Sequence, residues 1–266
     1  MEQEIKNQPS IIKKTLIGIA CFLVTFLIYF TIMSVIAPGR KLKEIHDIYG
    51  FKQDEKSAVD EKIIIDSAYL AQLKTKSFLQ SRVSLAETDS VYLTINFADT
   101  AINLEISGVV VHKTHISKMA VSKILKSEND YTLLNLMSKP FTIEEDISSI
   151  EKEPLMIKMA PKDTSEFEPD IMPDTADFEP VNYILRLNNG INLYVYQEEN
   201  LNKGDSRHRF LFDLNDRLRS FIADFKKVIK FQIPEYHPFI KLQIPRDDAK
   251  ILYRAIPVNG QIAIYR

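Results

Sequence analysis

The chain has 266 residues, room for one good-sized domain or two small ones beside any membrane segment. An apolar fraction of 45% and a charged fraction of 26% are ordinary globular values and allow a sizeable core. A formal net charge of −2 lacks the basic excess of a nucleic-acid-coating protein, so no nucleic-acid partner is expected.

The first readable element is an uncharged apolar run from Leu16 to Ala37, long enough for the roughly 20 residues that a helix needs to cross the hydrocarbon core. It holds Cys21, the only cysteine, so no intramolecular disulfide can form and the rest of the chain has no thiol. Thr25, Thr31 and Ser34 are tolerable there because their hydroxyls can bond back to the helix backbone. The run is too long for a cleaved signal peptide, and Pro38 directly after Ala37 would obstruct cleavage. Gly18, Ile19 and Ala20 make a poor lipoprotein signal before Cys21. A retained anchor is therefore expected, ended by Pro38-Gly39. Lys6, Lys13 and Lys14 on one side balance Arg40, Lys41 and Lys43 on the other, so charge does not set the orientation.

Residues 39–60 read as a polar, irregular stem, and Asp66–Leu85 as a helix leading from it into the domain. Then the period changes. Val91, Leu93, Ile95 and Phe97 alternate, as do Ile102, Leu104 and Ile106, and Val109 opens a third strand after Ser107-Gly108. Met119–Leu136 suggests a short helix or irregular crossover. Thr142 and Glu145 form a capping-box pattern that predicts a short helix, and Leu155–Met159 predicts a strand.

Residues 161–180 combine four prolines and seven carboxylates with one lysine, a composition expected of an exposed loop. Its Phe167, Ile171, Met172 and Phe178 are candidate apolar anchors for a basic partner. Val181–Gln197 reads as a hairpin with a type I′ turn at Asn189-Gly190. Phe210–Ile229 reads as a helix with Leu211, Leu214, Leu218, Phe221, Ile222, Phe225 and Ile229 on one broad face. A strand at Phe239–Ile244, a short helix opened by Asp247 and Asp248, and a strand at Gln261–Tyr265 end the chain.

Motifs for chemistry are absent. There is no HExxH, CxxC or Gly-rich phosphate loop, and no metal or cofactor is expected. His112 and His115 are three apart in a predicted strand, which points their rings to opposite sides. Asp247 and Asp248 are explained by the unpaired N–H groups of a helix start. Tyr236 and His237 beside Pro238 read as a bend before the next strand, with a pocket as the alternative.

Two pieces, VYLTINFADTAINLEISGVVVHKTHIS (91–117) and KLQIPRDDAKILYRAIPVNGQIAIYR (241–266), resemble the opening hairpin and the ending of the L,D-transpeptidase catalytic domain. Setting Asp248-Ala249 on the Asp-Ala of that family's ending puts Lys241 where its nucleophilic cysteine belongs. Pro238, Phe239 and Ile240 then replace the Ser-His-Gly approach. The resemblance implies an α+β fold in which a single transmembrane helix precedes a mainly β domain, with strands 91–97, 102–106 and 239–244 in one sheet. It also implies a dead enzyme, because acylation needs a thiolate, a base and oxyanion donors.

The expected organisation is a cytoplasmic tail (1–15), a transmembrane helix (16–37), a stem with a juxtamembrane helix (38–88) and a transpeptidase-like domain (89–266) on the periplasmic side of the inner membrane. The expected function is that of a non-catalytic binding or assembly subunit near peptidoglycan, contacting other envelope proteins. His237, Phe239 and Lys241 are the candidates for a vestigial cleft, and no catalytic residue is assigned. The alternatives are an enzyme using Lys241 with a Ser or with His237, and a regulatory domain facing the cytoplasm.

Overall fold

The computed structural model describes residues 11–50, 67–152, 179–198 and 203–266. The predicted strand at 155–159 lies outside these, as do Phe167, Ile171, Met172 and Phe178 of the acidic segment. The chain divides into two compact units, one of Met1–Lys43 with Arg217–Tyr236, the other of Glu44–Asp216 with His237–Arg266.

Helix α1 runs from Ile11 to Tyr49. Among the described residues it is the one helix long and apolar enough to cross a membrane. Thr25 and Thr31 donate to the carbonyls of Cys21 and Leu27 at 2.9 and 2.8 Å, the back-bonding that makes hydroxyls tolerable in an apolar helix. Pro38 does not end the helix as expected; it sits inside it. A proline removes one backbone bond and crowds the preceding turn, but here several turns on each side are already propagating, and they carry the helix through. The first part of the predicted stem is therefore helical up to Tyr49.

The larger unit is mixed α/β, built on a nine-stranded sheet in the order β3-β2-β1-β9-β5-β6-β7-β8-β4. After α2 (Ser67–Ala86), strands β1 (Val91–Asn96), β2 (Ala101–Ile106) and β3 (Val109–His115) form the predicted antiparallel meander. Ser107 and Gly108 both have positive φ, 47° and 82°, so the type I′ turn of this fold joins β2 to β3. Strand β4 (Lys118–Val121) follows almost at once, although it stands at the opposite end of the strand order. The two linking residues make the switch. Ile116 N–H bonds Thr100 O on the β2 side, and Ser117 N–H bonds Gln243 O on the β8 side. The sheet thus curls round until its two edges become consecutive in sequence.

Two short helices, α3 (Lys123–Ser127) and α4 (Asp130–Leu136), occupy the stretch read as a crossover. Asn129 caps α4 by accepting from Thr132 N–H at 2.7 Å. The capping-box pattern at Thr142 and Glu145 is not a helix start. Both residues lie in β5 (Phe141–Ser148), which pairs with β6 and β9. Sheet pairing on both sides satisfies the backbone there more fully than one local helical turn.

Strands β6 (Asn182–Leu187) and β7 (Asn192–Gln197) form the predicted hairpin with a different turn. Leu187 N–H bonds Ile191 O, Gly190 N–H bonds Leu187 O, and of the loop residues 188–190 only Gly190 has positive φ. This is a three-residue loop, a turn followed by a left-handed glycine. Helix α5 (Lys203–Ile229), strand β8 (Phe239–Ile244), helix α6 (Arg246–Ala255) and strand β9 (Gln261–Tyr265) complete the chain. β8 runs parallel to β7, and β9 parallel to β1. The core gathers on the central strands, where Ile184, Leu185, Leu193, Ile240, Leu242 and Ile262 are buried.

Candidate functional site

The place assigned to a vestigial cleft is the middle of β8. Lys241 pairs in register with Tyr194 of β7 on one side and Ala120 of β4 on the other. Residues two apart on a strand share a face, so Phe239 and Lys241 of β8 stand together, as do Tyr194 and Tyr196 of β7. The Lys241 ammonium lies 4.7 Å from the Tyr194 ring centroid, 5.5 Å from Tyr196 and 5.6 Å from Phe239. It also donates to the Tyr196 hydroxyl at 3.3 Å and sits 4.0 Å from the Asp213 carboxylate. Ring faces and a carboxylate are surroundings that suit an ammonium.

The carboxylate comes from α5. Asp205, Arg209, Asp213 and Asp216 follow one another at helical spacing, and the structure sets this polar stripe on the sheet. Tyr196 donates to Asp213 at 2.7 Å, Tyr194 donates to Asp216 at 2.8 Å, and the Gln197 amide lies 3.5 Å from Asp205. The Arg209 guanidinium stacks 4.1 Å above the Tyr196 ring. Arg186 of β6 reaches Asp216 at 3.6 Å and, with its other nitrogen, Glu145 of β5 at 2.6 Å. Burial and the hydrogen bond to Asp216 push the Tyr194 phenol well above its ordinary range; burial and Asp213 do the same to Tyr196. Both phenols are therefore neutral donors to charged acceptors, the stronger kind of hydrogen bond.

This helix has the opposite orientation from the one its composition suggests. Asp205 and Asp216 are buried, while Leu211 and Leu214 of the apolar face are exposed. Helices of soluble domains usually turn the apolar stripe inward. Here the sheet face offers tyrosine hydroxyls, a lysine and an arginine, and these select the carboxylate stripe.

Of the three predicted cleft residues, Phe239 and Lys241 come together and His237 does not join them. The His237 ring is exposed and its Nδ1 lies 3.1 Å from Gly190 O, in the β6–β7 loop. Tyr194, Tyr196, Arg186, Asp213 and Asp216 escaped the sequence reading. Their signals were the same-face tyrosine pair and the carboxylate spacing on one helix.

A second polar cluster lies elsewhere on the unit. His112 and Thr114 share a face of β3, and both contact Asp248 in the first turn of α6, His112 Nε2 at 2.8 Å and Thr114 Oγ1 at 2.5 Å. Asp248 was expected only to serve the helix start; its carboxylate instead ties α6 to β3. His115 bonds Thr100 Oγ1 at 3.2 Å, so the two histidines do have separate partners. Among the described residues no group of three or more His, Cys, Asp and Glu side chains is placed to hold a metal ion.

No family model matches the chain, and no curated protein matches it. Among solved structures it is similar to an L,D-transpeptidase from Mycobacterium smegmatis, with 12% identity over 66% of this chain and a TM-score of 0.26. The chain spans 58% of that protein's length. Likeness at this level carries no argument about fold or activity.

Proposed function

We propose that the chain is a non-catalytic, membrane-anchored protein of the cell envelope, a binding or assembly subunit that works near peptidoglycan within a larger trans-envelope complex. The observation that carries this reading is the state of the Lys241 position. The sequence resemblance puts this residue where a transpeptidase has its cysteine, and its ammonium is engaged by three ring faces, a phenol and a carboxylate. A nucleophile needs a free electron pair, an adjacent base and an open approach. His237, the histidine considered as its partner, is turned to Gly190 instead, and α5 lays its carboxylates over the strand. Helix α1 supplies the anchor, and the same sequence resemblance favours the periplasmic side for the larger unit.

The test is incubation of the full-length protein, in mild detergent, with muropeptides bearing stem peptides. Unchanged substrate masses are expected, and turnover would overturn the proposal. If turnover were then lost in Lys241→Ala, a lysine nucleophile would replace it. An alkaline phosphatase fused after Arg266 should be active if the larger unit is periplasmic. Co-purification from membranes should bring stoichiometric envelope proteins.

A further inference from the structure

Residues 217–229 of α5 belong to the smaller unit, and within it their apolar face meets α1. Within that unit Phe221 packs on Phe30 with centroids 5.4 Å apart, Phe225 on Phe26 at 5.6 Å, and Phe231, just past the helix, on Tyr29 at 6.1 Å. These rings do not use up the strip. Leu218, Phe221, Ile222 and Ile229 each remain about half exposed, and Phe231 is 83% exposed. The outer surface of α1 beside them is equally bare, with Phe22, Leu23, Leu27 and Ile28 exposed. The two helices therefore present one continuous apolar surface, and the medium that covers α1 also covers the strip.

Charge identifies that medium further. Residues 217–231 hold five basic side chains, Arg217, Arg219, Lys226, Lys227 and Lys230, against Asp224 alone. Arg219, Lys226 and Lys230 are exposed and flank one side of the strip, while Lys227 is taken by Glu235 at 2.6 Å. An apolar strip edged by exposed basic residues suits acyl chains bordered by phosphate groups.

We infer that the C-terminal half of α5 is a lipid-contacting helix, its phenylalanine strip set in the acyl layer of the membrane that α1 crosses and its basic edge on anionic phospholipid headgroups. The inference rests on the anchoring role proposed for α1. Phe26 and Phe30 belong to the charge-free run of α1, so the strip dips below the headgroups rather than lying on them. The long stems of Arg219, Lys226 and Lys230 let their charges reach back to the phosphates.

The single native cysteine makes this measurable. Cys21 lies exposed on α1, and a fluorophore attached there reports anchoring. In a Cys21→Ser background the same fluorophore is placed at Phe225→Cys, on the strip, or at Ser220→Cys, on the polar side. The full-length proteins are reconstituted into vesicles of phosphatidylcholine and phosphatidylglycerol carrying nitroxide-labelled acyl chains. A severalfold quenching is expected at positions 21 and 225 and little at 220. Quenching at 21 with none at 225 would overturn the proposal and leave the anchor standing. Failure at both would remove the anchor and the proposal with it. An unquenched Phe225→Cys protein that forms a disulfide between two copies would give the face to a second copy and overturn the lipid assignment.

Discussion

Helices α2 and the first half of α5 both cover the sheet of the larger unit, and they do so by opposite means. α2 uses apolar packing. Leu85 is buried in a cluster with Tyr92 and Ala263, Phe78 packs against that cluster, and its ring meets Tyr265 at 5.3 Å. One ion pair is added, where Arg82 donates twice to a single oxygen of the fully buried Glu105, at 3.0 and 3.1 Å, and Thr94 satisfies the other at 2.7 Å. α5 instead brings a stripe of carboxylates to tyrosines, an arginine and a lysine, and leaves its apolar side chains outside. The first arrangement needs no further explanation than folding. The second leaves hydrophobic surface exposed, and that surface requires an occupant.

The largest effect is expected at α2. Arg82→Ala leaves the Glu105 carboxylate inside the protein without its cation, and stranding one half of a buried pair costs about 3 kcal/mol. Urea unfolding of the purified protein should show a much lower midpoint. A loss no greater than that of an exposed ion pair, below about 1 kcal/mol, would mean that water reaches Glu105 and that α2 is held by packing alone.

At α5 the expected effect is smaller and more local. Asp216→Ala removes the acceptor of the Tyr194 phenol, a charge-assisted contact worth about 2 kcal/mol, and the more distant of the two carboxylates beside Arg186. Amide exchange should quicken across residues 205–216 while β6 and β7 stay protected. If exchange rises in the strands instead, the carboxylate stripe supports the sheet rather than fastening a helix to it. Lys241→Met should cost less again, about 1 kcal/mol, because Met retains the stem packing and loses a partly exposed charge. Thermal unfolding checks this, and a marked stabilisation would show that the cation is held in its ring cage at a cost.

The same contrast explains what the sequence could reveal. Alternation marked β1, β2, β6, β7, β8 and β9, because each has neighbours on both sides and a core to point into. Apolar spacing marked α5 as a helix but began it at Phe210 rather than Lys203, since Gly204, Asp205 and Ser206 carry no apolar signal. The same spacing did not say which face meets the sheet. Periodicity reports that a helix has two faces; which one meets the sheet depends on what the sheet displays, and that is fixed by strands distant in sequence. Thr142 and Glu145 misled for a related reason, since a local cap signal sat in a segment with two waiting strand partners. The sequence reading named Phe239 and Lys241 together with His237; strand alternation puts the first two on one face, and His237 stands apart at Gly190. Asp213 beside Lys241 and Asp216 beside Tyr194 were not legible, because the docking of α5 follows no local rule.

The smallest effect vanishes at neutral pH and grows only in alkali. Tyr194 and Tyr196 beneath α5, and Tyr183 and Tyr253 elsewhere in the unit, all have phenols raised from the ordinary 10.0, chiefly by burial, with Tyr253 pushed up to about 12. Tyr253 owes a further part to its hydrogen bond on Asp146 at 2.9 Å. When a folded phenol holds its proton past the point where the unfolded phenol gives it up, the unfolded state binds fewer protons. Stability is then complete below about pH 10 and declines as pH rises beyond it. Phenolate absorbance of the native protein should therefore lag behind that of the unfolded chain above pH 10 and catch up as unfolding sets in. Asp216→Ala sharpens the contrast between the two helices. Removing that carboxylate should bring Tyr194 down towards the ordinary range while Tyr183 and Tyr253 stay high. An unchanged native titration in that variant would leave burial alone as the cause at Tyr194 and would weaken the role given to the carboxylate stripe.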